Sequence, residues 1–269
     1  DEKEMEKVMP VLCRMLDNII TMSKYPVKAA ELTANKYRSI GIGYLGLAEY
    51  LATHEIAYDS PEAREMVDAM FEKFTYYTYQ ASIDLAKERG TYPLYPGSEH
   101  EKGIILGRNE KTFAAESRVK SLDWKKLFAE MKAHGLRFWY HTAPAPNTST
   151  AGIVGTTAAL LPIYKKYFVE TNLSSPTVRI APKLSSQNFW YYKEYVTMDM
   201  NDVIDMVSVI YRWIDQSISF EWMIDPSRVS PQELYGYYMK SWKQGIKTVY
   251  YVRSLSADVG KDGCVSCSG

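Results

Sequence analysis

Ser230-Pro231-Gln232-Glu233-Leu234-Tyr235-Gly236-Tyr237-Tyr238-Met239-Lys240-Ser241-Trp242-Lys243-Gln244-Gly245-Ile246-Lys247-Thr248-Val249-Tyr250-Tyr251-Val252 is the stretch from which the fold class can be read. Ser230 and Glu233 stand at capping-box spacing and Pro231 suits a first helical turn, so a helix begins here. Gly245 can take the left-handed backbone that ends one. Ile246–Val252 is β-branched and aromatic and reads as a strand. The same grammar occurs earlier: a helix from Asp123 to His134, a stop at Gly135, and an apolar run Leu136 to Tyr140 that reads as a buried strand. Helices feeding directly into strands mark an α/β protein with parallel strands.

The flanking segments add helices. Val8, Leu12, Met15, Leu16 and Ile19 fall at helical spacing within residues 3–22. Ser60-Pro61 opens a long helix with the apolar stripe Val67, Met70, Phe74, Tyr77, Ala81 and Leu85, closed by Gly90. Val203, Met206, Ile210 and Ile214 place another over roughly 200–222. Segment 168–196 is polar and aromatic and suits a side excursion with short strands.

Composition narrows the function. Lys+Arg and Asp+Glu both number 32 in 269 residues, so no net field draws the chain to nucleic acid or to an anionic membrane. No apolar run of membrane-spanning length and no signal-peptide pattern occurs, and an odd count of 3 cysteines fits a reducing compartment. The expectation is a cytoplasmic protein. Tyrosines number 22 against 8 phenylalanines, so most must be half-buried rings with a wet hydroxyl.

Four constellations could carry chemistry. Gly41-Ile42-Gly43-Tyr44-Leu45-Gly46 fits a dinucleotide-binding pattern, but the polar Ala34–Ser39 before it is no buried strand, and close backbone packing explains the glycines better. Pro146-Asn147-Thr148-Ser149-Thr150 sits in a stretch, Phe138 to Tyr164, with no charged residue, ahead of a helix-like run from Ala151 to Leu161. Hydroxyls at a helix N-terminus, with free N–H groups, can hold a phosphate without lysine or arginine; an ordinary N-cap is the alternative. Tyr250-Tyr251 lies in the expected strand, where neighbours point to opposite faces, one ring in the core and one against a helix. Finally Cys264 and Cys267 end a Gly/Asp/Ser-rich segment from Ser254 onward that lacks an apolar period. A dithiol on a flexible tail suits thiol–disulfide exchange better than zinc, because the four histidines show no ligand spacing.

Order and spacing then match a family. The chain resembles the C-terminal portion of the large, catalytic (alpha) subunit of class I ribonucleoside-diphosphate reductase. The motifs that carry the resemblance are Arg38-Ser39-Ile40-Gly41-Ile42-Gly43, His134-Gly135-Leu136-Arg137, Pro146–Thr150, Ile214-Asp215-Gln216-Ser217-Ile218-Ser219, Asp225-Pro226-Ser227-Arg228, Lys247-Thr248-Val249-Tyr250-Tyr251 and Cys264-x-x-Cys267. The fold so implied is the second half of a ten-stranded α/β barrel over residues 1–253, with a flexible redox tail over 254–269. Pro146, Asn147, Thr148, Ser149 and Thr150 would bind the diphosphate of a ribonucleoside diphosphate. Tyr250 and Tyr251 would relay a radical from the small, metal-containing subunit to a catalytic cysteine, so this chain itself would bind no cofactor and no metal. Cys264 and Cys267 would reduce the active-site disulfide and be reduced in turn by thioredoxin or glutaredoxin.

The family's radical cysteine and its reductant pair precede the matched region, and Cys13 has none of their neighbours. The chain therefore looks like the C-terminal piece of a split large subunit of the bacteriophage type, inactive until joined to the N-terminal portion; a proteolytic or cloning fragment would give the same sequence. One departure stands: Leu161-Pro162 occupies the place where the family usually has an acidic residue before proline. A non-catalytic thiol-redox or binding protein that keeps the fold is the alternative from another class.

Overall fold

Caps decide where the helices begin and end. The computed structural model describes residues 2–171 and 176–254. Its elements begin with α1 (Glu2–Met22), α2 (Lys28–Tyr37), α3 (Leu47–Thr53), α4 (Pro61–Arg89), α5 (Glu110–Glu116) and α6 (Trp124–His134). There follow α7 (Thr148–Val154), β1 (Tyr167–Thr171), β2 (Pro176–Ile180), α8 (Met200–Tyr211), β3 (Glu221–Ile224), α9 (Pro231–Lys243) and β4 (Tyr251–Ser254). The expected starts are present. Ser60 Oγ accepts the Ala63 N–H at 3.0 Å, Asp123 accepts from Lys126 N at 2.9 Å, and Ser230 and Glu233 form the reciprocal capping box. Gly90, Gly135 and Gly245 follow their helices with φ of +80°, +75° and +80°. No helix among the described residues is long and apolar enough to cross a membrane.

The chain divides into two compact units. The first holds the described residues up to Ile42, Val67–Ala143 and Arg212–Gln216. Its core joins Met9 and Cys13 of α1, Phe71 and Phe74 of α4, Leu127 and Met131 of α6, and Phe138 and Trp213. The buried face of α4 differs from the expected apolar stripe. Met70 and Tyr77 are only half-buried, whereas Asp68, Glu72, Thr75, Thr78 and Ser82 are buried. These polar groups are tolerated because they are satisfied. Glu72 accepts from Arg118 N (2.9 Å), Val119 N (3.2 Å), Trp124 Nε1 (2.9 Å) and the Ser117 hydroxyl, and Asp68 accepts from Trp213 Nε1 at 2.7 Å.

Leu136–Tyr140 is buried in alternation, as a strand would be, but it joins no ladder. It runs beside Tyr37–Ile42 through single bonds, Trp139 N to Tyr37 O and Ile40 N to Tyr140 O, both 3.0 Å, and the one parallel bridge there is Ile42 with Thr142. The helix expected over 200–222 stops at Tyr211. Asp215 must leave the helical path because its carboxylate caps the N–H groups of His141 (2.6 Å) and Thr142 (2.9 Å).

The second unit holds Gly43–Met66, Pro144–Tyr211 and the described residues from Ser217 onward. Leu51, Tyr58, Tyr192, Ile204, Phe220 and Trp222 are buried in it. The excursion expected over 168–196 contains the antiparallel hairpin β1–β2, with Tyr167 opposite Ile180. β3, α9 and β4 form the expected parallel unit, with Glu221 opposite Tyr251 and Ile224 opposite Ser254. The strand placed at Ile246–Val252 is shorter and later than expected: its ladder opens at Tyr251 and ends at Ser254, a residue assigned by sequence to the tail. The architecture is thus mixed helix and sheet, and among the described residues the strands form two two-stranded sheets.

Candidate functional site

Pro146–Thr150 enters α7, and Asn147 is its N-cap. Asn147 has a left-handed backbone (φ 41°, ψ 33°), which asparagine tolerates better than most residues, and its side chain makes no capping bond. The amide instead clamps the loop from both sides: Nδ2 donates to Tyr44 O at 3.4 Å and Oδ1 accepts the Ala159 N–H at 2.9 Å. The first intrahelical bond is Ala151 N to Asn147 O at 2.9 Å. Thr148, Ser149 and Thr150 precede it, exposed, in a turn whose N–H groups have no carbonyl one turn back. The expected hydroxyl-rich helix entrance is present, although α7 ends at Val154, well short of Leu161.

Gly46 and residues outside the quoted motifs hold the other end of this loop. Gly46 N donates to Thr157 O at 2.7 Å, Glu49 N to Thr157 Oγ1 at 3.2 Å, and the Thr156 hydroxyl to the Glu49 carboxylate. Lys183 Nζ lies 2.7 Å from the same carboxylate. Gly46 has φ +87°, and a Cβ there would stand 2.7 Å from Thr156 Oγ1; a Cβ on Gly41, in the first unit, would stand 3.1 Å from that of Ala143. These two glycines of the dinucleotide-like pattern serve close backbone packing.

Tyr250 and Tyr251 are not divided between core and helix as alternating strand neighbours would be. Both are about half exposed, 53% and 49%, and their ring centroids are 4.2 Å apart with planes inclined at 54°. Tyr250 precedes the ladder, so the strict alternation of a strand does not bind it. The hydrogen bond to Tyr251 raises the Tyr250 phenol pKa above its ordinary value. Arg253 lies over the Tyr251 ring at 5.2 Å and is held by Glu221 at 2.8 Å. The other tyrosine pair in this region differs: Tyr238 packs against the buried Trp222 at 4.5 Å.

A short segment ties the loop to the pair. Ser219 N donates to Pro144 O at 3.0 Å, just ahead of the loop, and Tyr250 N donates to Phe220 O at 2.7 Å. Adjacent backbone groups therefore register the exposed hydroxyl-rich helix entrance and the tilted phenol pair on one framework. Cys264 and Cys267 lie outside the described residues. Cys13 is buried, its thiol pushed up to about 12 by burial and then by Asp17, and it is unsuited to thiolate chemistry.

Other motif residues hold the first unit together. Arg38 and Arg137 both bind the buried Asp17, and Gln216 Nε2 donates to Ile40 O (2.7 Å) and Thr142 O (3.2 Å). Burial opposes the charge on Asp215, but His141 and the backbone N–H groups of residues 141 and 142 outweigh it and hold that carboxyl below its ordinary range.

Residues 1–252 match the family model "Ribonucleotide reductase, barrel domain". The ribonucleoside-diphosphate reductase subunit alpha of Synechocystis sp. is 36% identical over 284 residues, which covers 100% of this chain and 36% of that protein. The Helicobacter pylori subunit alpha is 35% identical over 99% of this chain and 35% of its own length, and the Bacillus subtilis one is 33% identical over 99% and 40%. The chain spans little more than a third of the length of these relatives.

Proposed function

The chain belongs to the ribonucleotide reductase barrel-domain family, and from that premise we propose that it is the C-terminal portion of the catalytic alpha subunit of a class I ribonucleoside-diphosphate reductase. It acts with the N-terminal portion, as the second half of the ten-stranded barrel, whether the division is that of a phage-type split subunit or of a fragment. The observation that carries this reading is the exposed, ring-to-ring Tyr250–Tyr251 pair registered by Phe220 on the same segment that holds Pro144. Packing alone gives no reason for two neighbouring phenols to be half exposed with their ring centroids 4.2 Å apart.

In this reading each phenol loses and regains an electron and a proton, passing a radical from the metal of the small subunit to a cysteine on the N-terminal portion. The hydroxyls and N–H groups of Thr148, Ser149 and Thr150 hold the substrate diphosphate. Reduction of the ribose oxidises two thiols of the N-terminal portion to a disulfide. Cys264 and Cys267 reduce it by exchange, become a disulfide themselves, and are restored by thioredoxin or glutaredoxin. No cofactor is bound by this chain. The test is reconstitution: the chain, the N-terminal portion and the small subunit should together convert CDP to dCDP with a dithiol reductant. The chain with small subunit alone should give none; turnover there would refute the assignment.

A further inference from the structure

Tyr251 and Arg253 stand two residues apart on β4, so their side chains leave the same face of the strand. The parallel neighbour β3 places Glu221 opposite Tyr251. Across that ladder the Glu221 carboxylate holds the Arg253 guanidinium with both oxygens, Oε2 at 2.8 Å from Nε and Oε1 at 3.3 Å from Nη2. The two side chains are 31% and 17% exposed for Arg253 and Glu221, so the pair is better shielded than an ordinary surface ion pair. The guanidinium so fixed lies 5.2 Å from the centre of the Tyr251 ring. Glu221 is anchored in turn by the buried Tyr195, which donates its hydroxyl to Glu221 O and its N–H to Ile163 O at 2.8 Å.

The Tyr251 ring needs such support. Half exposed, it has room to change rotamer on the picosecond-to-nanosecond scale. Electron exchange between two rings falls steeply as they part. We propose that Arg253, aligned by Glu221, is a positioning residue that pins the Tyr251 ring against Tyr250 for radical transfer; this rests on the reading of the pair as a relay. The planar guanidinium suits the task, because one face can lie on a ring while its edge stays paired with a carboxylate. Glu221 acts only through Arg253: it orients the cation, and the cation holds the ring.

The experiment compares Arg253→Gln, Glu221→Gln and the double variant in the assembled reductase. Arg253→Gln should lower kcat about 10-fold and leave KM for CDP unchanged. Glu221→Gln should lower kcat less, and should cost nothing further once Arg253 is already Gln. In the full chain with 3-fluorotyrosine in place of Tyr251, both single changes should narrow the fluorine resonance and move it towards that of the free amino acid, because the ring is released. Should Arg253→Gln fail to fold, as read from its urea midpoint, Glu221→Gln carries the same two measurements. Near-wild-type kcat in Arg253→Gln, beside an inactive Tyr251→Phe, would overturn the positioning role and leave the relay standing. So would additive losses in the double variant, a loss carried by KM, or an unmoved fluorine resonance. An active Tyr251→Phe would remove the relay and this inference with it.

Discussion

Arg38 and Arg137 meet on one carboxylate oxygen: Arg38 Nη2 lies 2.7 Å and Arg137 Nε 2.8 Å from Oδ1 of the buried Asp17. Arg89 Nη1 completes the cluster, 2.8 Å from Oδ2. Burial opposes the Asp17 charge, but Arg137, Arg89 and Arg38 together hold its carboxyl below the ordinary range. Asp17→Asn leaves these cations without their counter-charge and should cost about 3–5 kcal/mol in a urea titration at neutral pH. A loss below about 1 kcal/mol would mean that the arginines find water instead.

Stability should fall on mild acidification. Burial, and then His141, push the His100 imidazole from its ordinary 6.5 down to about 4. The unfolded chain therefore takes up this proton first, and the contribution is complete above pH 6.5, shrinks towards pH 4 and levels off below. The size is about 3 kcal/mol. Asp17 and Asp215, with pKa values depressed below 3.8, keep their contributions through this window and lose them only at lower pH. Urea midpoints measured from pH 7.5 to 4 should slope for the wild type and flatten for His100→Gln; parallel slopes would refute the assignment.

Tyr250→Phe and Tyr251→Phe should each leave the urea midpoint and substrate binding almost unchanged while abolishing turnover in the assembled reductase. Phenylalanine keeps the ring contact and loses only the O–H. Tyr238→Phe, a ring packed on Trp222, is the control and should stay active. Equal turnover in all three would make the pair merely structural.

Thr148→Ala with Ser149→Ala should weaken diphosphate binding by about 1–6 kcal/mol, from about 0.5–3 per hydroxyl, depending on how charge-assisted the bonds are. The loss should appear in KM more than in kcat. Equilibrium binding of CDP to the assembled complex is the direct measurement, and intact affinity would remove the loop from the substrate site.

Cys264→Ser with Cys267→Ser should stop multiple turnover driven by thioredoxin or glutaredoxin, yet spare one round from pre-reduced enzyme and slow turnover with a small dithiol. A rapid-quench count of dCDP per complex decides this. Loss of the first round would assign the cysteines another task, and full thioredoxin-driven turnover would end the redox-arm reading.

The helix ends were legible in the linear chain because caps are local: Ser60, Asp123, Ser230 with Glu233, and the three glycines act within a turn of their own position. The family motifs and the tyrosine pair were legible for the same reason, as fixed residues at fixed spacing. Only the tertiary structure decided what pairs across the chain. Asp68 and Glu72 look like exposed helix positions until Trp213 and the 117–124 turn arrive to satisfy them. Leu136–Tyr140 and Ile246–Tyr250 have strand-like residues, yet the ladder forms only where a partner runs alongside in register, at 251–254. The common exposure of Tyr250 and Tyr251 depends on that late start. Burial and hydrogen bonding between distant segments carry no signature in any one of them, so this half of the fold exists only once the chain has closed.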